Sequence, residues 1–504
     1  MHFLVCKGPA LYAYNNAAFD KEDWEGIQKA GRSDKRNDPN KVGRFGIGFN
    51  SVYHITDVPS IFSAGHLGMM DPQEKIFGQR NGGFRWSLDD ADHQEALTKM
   101  HDQFHPFRDI VSLVSGQEWS KVIIEDQHFD GTIFRFPFRK EKSDISDNLY
   151  DSDKGVELFD SFIADADLSL LFLKNVTSVA LIHIDIHGIV NTRLEVKSSI
   201  PTDVVLESED KSMIEGSTRF KLITLKSEDL KETKWLVTTC TMKEGNVEIL
   251  DSLSEKLKFF PQVDLAFPCG EKRDSSESRL SCFLPLPNNE SNKTGLPVYI
   301  NACFGLTDNR RHIKWQEEDQ KHDEHAVWNE LLMKEVLPQA YLVIIQDAIK
   351  LAQQSILPVS SVYDLWPDIA QVKHRDKWDI LRRIGVNFIS KDDKLCLLEY
   401  VLSDGKYREL EGLQLLPLND GSFRCFTNRE EDTALIDSKE FPKVLLPCCK
   451  HLFIKEDLSP ACRTHLKELA RKRLETDEEG ACYLGRQQQS TSTFRLAPRI
   501  LEIS

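Results

Sequence analysis

Three glycines in close succession constrain this chain more than any other feature. Gly43, Gly46 and Gly48 stand in the string Lys41-Val42-Gly43-Arg44-Phe45-Gly46-Ile47-Gly48-Phe49-Asn50-Ser51-Val52-Tyr53-His54. Glycine lets a backbone approach a ligand closely and adopt conformations closed to other residues. An apolar segment of helical character follows at once, which would place free amides at a helix N-terminus, a natural site for phosphate. A P-loop would need Gly-Lys-Ser/Thr after its second glycine, and Gly48-Phe49-Asn50 does not supply it. A dinucleotide fingerprint would need G-x-G-x-x-G after a strand, whereas the order here is G-x-x-G-x-G after a polar loop. On the glycines alone, a ligand-free flexible turn stays open beside an anion site.

The pattern around this string predicts an α+β organisation. Ala10 to Tyr14 reads as a short buried strand, and Asp20-Lys21-Glu22-Asp23 opens a helix through Trp24 and Ile27. Val122 to Glu125 and Thr132 to Phe136 read as strands either side of a turn at Asp130-Gly131. The polar stretch from Arg139 to Lys154 is the best linker candidate. A helix around 156–173 then leads into strands at 179–186 and 189–196, joined at His187-Gly188, and further strands at 220–225 and 235–242. From Ala326 the apolar residues Val327, Leu331, Leu337, Tyr341, Ile344, Ala348 and Leu351 recur at helical spacing, with Pro338 expected to kink the helix. Further helices are expected at 377–384 and 460–474, the latter capped by Ser459 with Pro460 in its first turn. A hairpin is expected over 415–423 around Asp420-Gly421. The resulting domain scheme is 1–138, a linker at 139–155, a strand-rich block at 156–320, a mainly helical segment at 321–485, and a mobile tail at 486–504.

Bulk properties remove several function classes. The chain has 504 residues, 40% hydrophobic and 29% charged, which is ordinary for a protein with a real core. A net charge of −16 argues against general binding to a phosphate backbone, so no nucleic acid is expected. No apolar run approaches the roughly 20 residues needed to cross a bilayer. The first residues carry neither a basic segment nor a cleavage site, so a cytoplasmic location is expected. The 11 cysteines include no C-x-x-C pair and read as buried thiols rather than metal ligands. His322 and His325 have no third ligand in view, and solvated charge at a helix start is the simpler reading of His322-Asp323-Glu324-His325. Trp24, Trp86, Trp119 and Trp315 read as core or interface aromatics.

Taken as a whole, the string Gly43 to His54 resembles the glycine-rich lid of GHKL ATPases, the family of heat-shock chaperones, MutL, gyrase B and histidine kinases. Gly8 to Ala17 resembles that family's adenine-side strand and turn, and Gly131-Thr132-Ile133-Phe134 its final glycine-threonine strand. Asn16-Ala17, Glu22-Asp23-Trp24 and Ile55-Thr56-Asp57-Val58-Pro59 are similar to the sacsin repeat. So are Phe283 to Pro287, Thr294 to Val298 and Phe304 to Trp315. This resemblance runs from about Gly8 to about Phe426.

The resemblance implies a partial GHKL (Bergerat-type) two-layer α/β sandwich, a strand-rich α+β block and a helical C-terminal part. It implies an ATP site drawing on Asn15, Asn16, Gly43, Arg44, Phe45, Gly46, Gly48, Phe49 and Thr132. Arg310, Arg311 or Lys314 would reach a phosphate, as basic residues after the nucleotide fold do in GHKL chaperones; a solvated basic turn is the alternative. The family's first helix, which carries the water-activating glutamate and the Mg²⁺-holding asparagine, reads like Q-N-A-D-D-A in sacsin relatives. No such string occurs in this sequence, and the adenine-side turn reads Tyr14-Asn15-Asn16 in place of an aspartate. The chain is therefore expected to be N-terminally truncated relative to the family, to bind ATP weakly, to hold no Mg²⁺ and to hydrolyse nothing by itself. A chaperone or co-chaperone role follows from the same resemblance, with client proteins and the seventy-kilodalton chaperone system as partners. The rival reading is a fragment of an active ATPase whose catalytic helix lies upstream.

Overall fold

The computed structural model describes residues 8–28, 49–99, 101–201, 205–207, 214–227, 229–269, 277–294, 296–316, 323–358, 361, 364–365, 414–417 and 423–425. The chain is α+β and divides into two units, 1–165 and 166–504.

The first unit is built on one antiparallel sheet. Its elements are β1 (Ala10–Asn15), α1 (Lys21–Gly26), β2 (Ser60–Ala64), β3 (His66–Met70), β4 (Gly83–Ser87), α2 (Ala91–Lys99), α3 (His101–Ser115), β5 (Phe129–Pro137) and α4 (Ser152–Ile163). The strand order is β1-β5-β2-β3-β4, so the strand latest in sequence lies between the first two. Residues directly opposite in such a ladder share a face. The row Tyr14, Ile133, Phe62, Leu67, Trp86 therefore points one way. Its Ile133, Phe62, Leu67 and Trp86 form the core with Leu97 of α2 and Phe107, Ile110 and Val111 of α3, and the Phe62 and Phe129 rings stack 5.2 Å apart.

Val122 completes that core from a single π-helical turn, Lys121–Glu125, rather than from the strand expected there. The turn continues a helical backbone, with the Val122 amide donating to Glu118 O, which buries Val122 and turns Ile124 out to 67% exposure. Tertiary packing overrides the β-propensity of Val-Ile-Ile. The Asp130-Gly131 turn is likewise absent, because both residues lie within β5. Gly131 is needed there for close approach, since a Cβ would stand 3.0 Å from the Asn15 carbonyl on β1.

The stretch 139–155, expected as a linker, lies inside the first unit. Its anchor is Arg139, whose Nε donates to Asp57 Oδ1 at 2.7 Å. Its remaining donors go to the carbonyls of His54, Asn148, Tyr53 and Thr56. All five guanidinium N–H groups are thus satisfied.

The second unit contains α5 (Ala166–Ser169), β6 (Ser178–Ile184), β7 (Val190–Ser199), β8 (Val205–Glu207), β9 (Ile214–Lys226), β10 (Leu230–Met242), α6 (Glu248–Leu257), β11 (Gln262–Cys269), β12 (Leu280–Cys282), β13 (Leu284–Pro285), β14 (Tyr299–Ala302), α7 (Glu324–Leu331) and α8 (Leu337–Gln353). Its nine-stranded sheet runs β13-β12-β14-β11-β10-β9-β7-β6, with β8 beside β9. The helix expected from Ala326 forms in three parts, with a π turn at Leu332–Val336 between α7 and α8 and Pro338 in the first turn of α8. β15 (Gln414–Pro417) and β16 (Phe423–Cys425) pair antiparallel, as a hairpin over 415–423 requires. The helices expected at 377–384 and 460–474, and the tail at 486–504, lie outside the described residues.

Candidate functional site

The outer face of the first sheet, opposite the helical core, carries a polar row. Asn15, Thr132, Ser63, His66 and Ser87 stand side by side across all five strands in ladder register. The next row is Ala13, Phe134, Ile61, Gly68 and Arg85. Two segments pack on this face. Helix α1 is fixed by a capping box in which Asp20 accepts from the Asp23 amide at 2.7 Å and Asp23 accepts from the Asp20 amide at 3.3 Å. It lays Trp24 over Gly68, where an added Cβ would meet the indole at 2.9 Å. The second segment is a 3-10 turn, Phe49–His54, where a helix had been expected after the glycines. Its Phe49 ring lies 6.1 Å from Phe134 and 6.4 Å from Tyr53.

Of the expected ATP-site residues, Asn15, Asn16, Phe49 and Thr132 are described, and Asn15, Phe49 and Thr132 share this face. Gly43, Arg44, Phe45, Gly46 and Gly48 lie outside the described residues. Asn15 and Asn16 are exposed. The Asn15 Oδ1 accepts from the Ala17 amide at 3.1 Å, which leaves that oxygen one further lone pair. Thr132 is fully buried, and its hydroxyl donates to Ala17 O at 2.7 Å. Ser63 Oγ donates to Gly131 O, accepts from the Phe19 amide, and touches Thr132 Oγ1, each at 2.8 Å. Two hydroxyl protons are thus shared among three contacts that need one. The pair holds the Asn15-to-Phe19 turn down on the sheet.

The Asn15 amide is exposed on this face, whereas the Thr132 hydroxyl is covered. Burial, and then the nearby Arg85 cation, lower the pKa of the His66 imidazole on this face. Its Nδ1 and the Trp24 Nε1 are buried without hydrogen-bond partners.

Sequence reading missed Ser63, His66 and Arg139. Ser63 and His66 carried only the weak signal of polar residues alternating with Ile61, Phe62 and Leu67. Arg139 carried none, since one cation in a polar stretch looks solvated.

Arg310, Arg311 and Lys314 lie in the second unit, on a hairpin closed by the Thr307 amide to His312 O and the Lys314 amide to Gly305 O. Buried Asn329 clamps its base, accepting from the Gly305 amide and donating to the carbonyls of Gly305 and Lys314, all at 2.8 Å. Asn292 donates to Arg311 O at 2.8 Å. The Lys314 ammonium pairs with Asp323, the N-cap of α7, at 2.9 Å, whereas Arg311 is exposed near the tip. Among the described residues no cluster of three or more His, Cys, Asp or Glu side chains could hold a metal. No helix among them is long and apolar enough to cross a membrane.

Residues 2–194 match the family profile described as "Sacsin domain". The chain is also 37% identical to sacsin of Homo sapiens over 585 residues, an alignment that covers 93% of this chain. It spans only 13% of the length of that relative. On these two matches, the chain belongs to the sacsin family.

Proposed function

We propose that this chain is a chaperone or co-chaperone module with an incomplete ATP site on the outer face of its first sheet. The observation that carries the reading is the register that sets Asn15 beside Thr132 on the face where Phe49 emerges from the glycine string. In this account Asn15 accepts from the adenine amino group and Thr132 with Ser63 fixes the turn that presents it. The amides of Gly43, Gly46 and Gly48 take the phosphates. The sequence holds no Q-N-A-D-D-A string to supply the metal ligand and general base, so this chain binds nucleotide weakly, without Mg²⁺, and does not turn it over. Its partners are client proteins and the seventy-kilodalton chaperone system, and its setting is the cytoplasm.

Two assays test the reading. The purified chain should suppress aggregation of a heated model protein, and no effect at several-fold molar excess would sink the chaperone assignment. A coupled phosphate-release assay should stay at the buffer rate. Turnover above buffer that survives Gly46→Val would place catalysis outside this site.

A further inference from the structure

Strand β6 ends the nine-stranded sheet, and among the described residues no strand lies on its outer side. Natural sheets protect such an edge with charge, proline or shortness. The opposite edge of this sheet is protected in that way, since β13 is the two-residue Leu284–Pro285. β6 itself has none of these three devices; the one irregularity in its pairing with β7 is a register shift between Leu181 and Ile182, where Arg193 is the extra residue on β7. β6 is seven residues long and reads Ser-Val-Ala-Leu-Ile-His-Ile, without Asp, Glu, Lys, Arg or Pro.

The backbone groups it leaves open can be assigned. The Ser198 amide donates to Thr177 O and the Asp185 amide to Ile189 O, so the backbones of Thr177 and Asp185 face β7. Alternation then turns the N–H and C=O groups of Ser178, Ala180, Ile182 and Ile184 outward. Beyond the strand, Asp185 accepts from the amides of His187 and Ile189, each at 2.8 Å. This bonded turn holds Ile186 in solvent at 96% exposure. Val176, at the other end of the strand, is 40% exposed.

We propose that β6 pairs antiparallel with β6 of a second copy of this chain, about a two-fold axis at Leu181. That register sets Ser178 opposite Ile184 and Ala180 opposite Ile182, so every facing pair offers outward N–H and C=O groups on both sides. It brings the exposed Ile186 of each copy toward the exposed Val176 of the other, and it opposes no like charges. A two-fold contact requires such self-complementarity, and here it extends from backbone to apolar ends. This inference does not depend on the proposed nucleotide site.

Sedimentation velocity of the full chain over a range of concentrations tests it. The wild type should form a dimer. Ala180→Pro removes an N–H that the monomer's sheet does not use, at an edge position where proline is tolerated. It should leave the far-ultraviolet circular dichroism unchanged and abolish the dimer. Ala180→Lys, at an exposed position, should do the same and decides the matter if the proline variant fails to fold. Ile186→Lys should weaken the dimer at least tenfold. Leu181→Cys should cross-link two copies under oxidation, whereas His183→Cys, which faces Val179 of the other copy, should not. A wild type monomeric at all concentrations would overturn the proposal. So would a dimer indifferent to both Ala180 variants, or an edge that captures an extended peptide without self-association.

Discussion

Replacing Arg139 by alanine should be among the most damaging single changes in the first unit. The guanidinium side chain is 1% exposed and its carboxylate partner Asp57 is 12% exposed. Removing it leaves Asp57 with the Ser143 hydroxyl at 2.8 Å and strips the donor from the carbonyls of Tyr53, His54 and Thr56. Breaking a buried pair by deleting one partner costs about 3–5 kcal/mol, because the remaining charge is uncompensated. For a domain of this size each kcal/mol lowers Tm by about 2–4 °C, so a fall of roughly 10 °C is expected. Arg139→Lys keeps the charge but has only three donors in place of five, and should recover about half of the loss. Urea unfolding followed by a probe in the first unit measures both, with Asp57→Asn completing a double-mutant cycle. Amide exchange should also accelerate across 49–57, the segment Arg139 ties down directly after the glycine string. A cost below about 1 kcal/mol for Arg139→Ala would refute the anchoring role, since that is the scale of an exposed ion pair.

Thr132→Val removes the hydroxyl that holds Ala17 O and should cost about 1–2 kcal/mol, with faster amide exchange at 16–19. Unchanged stability would show that the hydroxyl is not the turn's anchor. Gly305→Ala places a Cβ 2.4 Å from His325 Cβ and should destabilise the second unit by about 1–3 kcal/mol, read from its urea midpoint. Burial raises the pKa of Asp347 above its ordinary value. The folded state therefore holds a proton that the unfolded state has released, and stability should fall as pH rises from about 4 toward neutral. Asp347→Asn should flatten that slope, and an unchanged slope would exclude Asp347 as its source.

Much of the secondary structure was legible because its signals are local. Alternation marked Phe220–Leu225 and Trp235–Met242 within β9 and β10, His187-Gly188 marked a turn with Gly188 at φ +77°, and Asp20 marked the start of α1. The expectations that failed depended on partners distant in sequence. Val122 to Glu125 has strand-forming residues, but the place available to it is a gap in a core filled by Phe62, Trp86 and Val111. Asp130-Gly131 resembles a turn, yet β5 needs the glycine to approach Asn15 of β1. The polar row is invisible along the chain because it exists only once the order β1-β5-β2-β3-β4 is set. Arg139 reads as linker until the five groups it bonds converge, four of them from the segment 53–57.

Isothermal titration calorimetry with ATP, with and without Mg²⁺, tests the central claim most directly. The account predicts weak binding of equal strength in both conditions, reduced by Asn15→Ala and by Gly46→Val. Binding that requires Mg²⁺, or binding indifferent to both substitutions, would contradict a metal-free nucleotide site on the outer face of the first sheet.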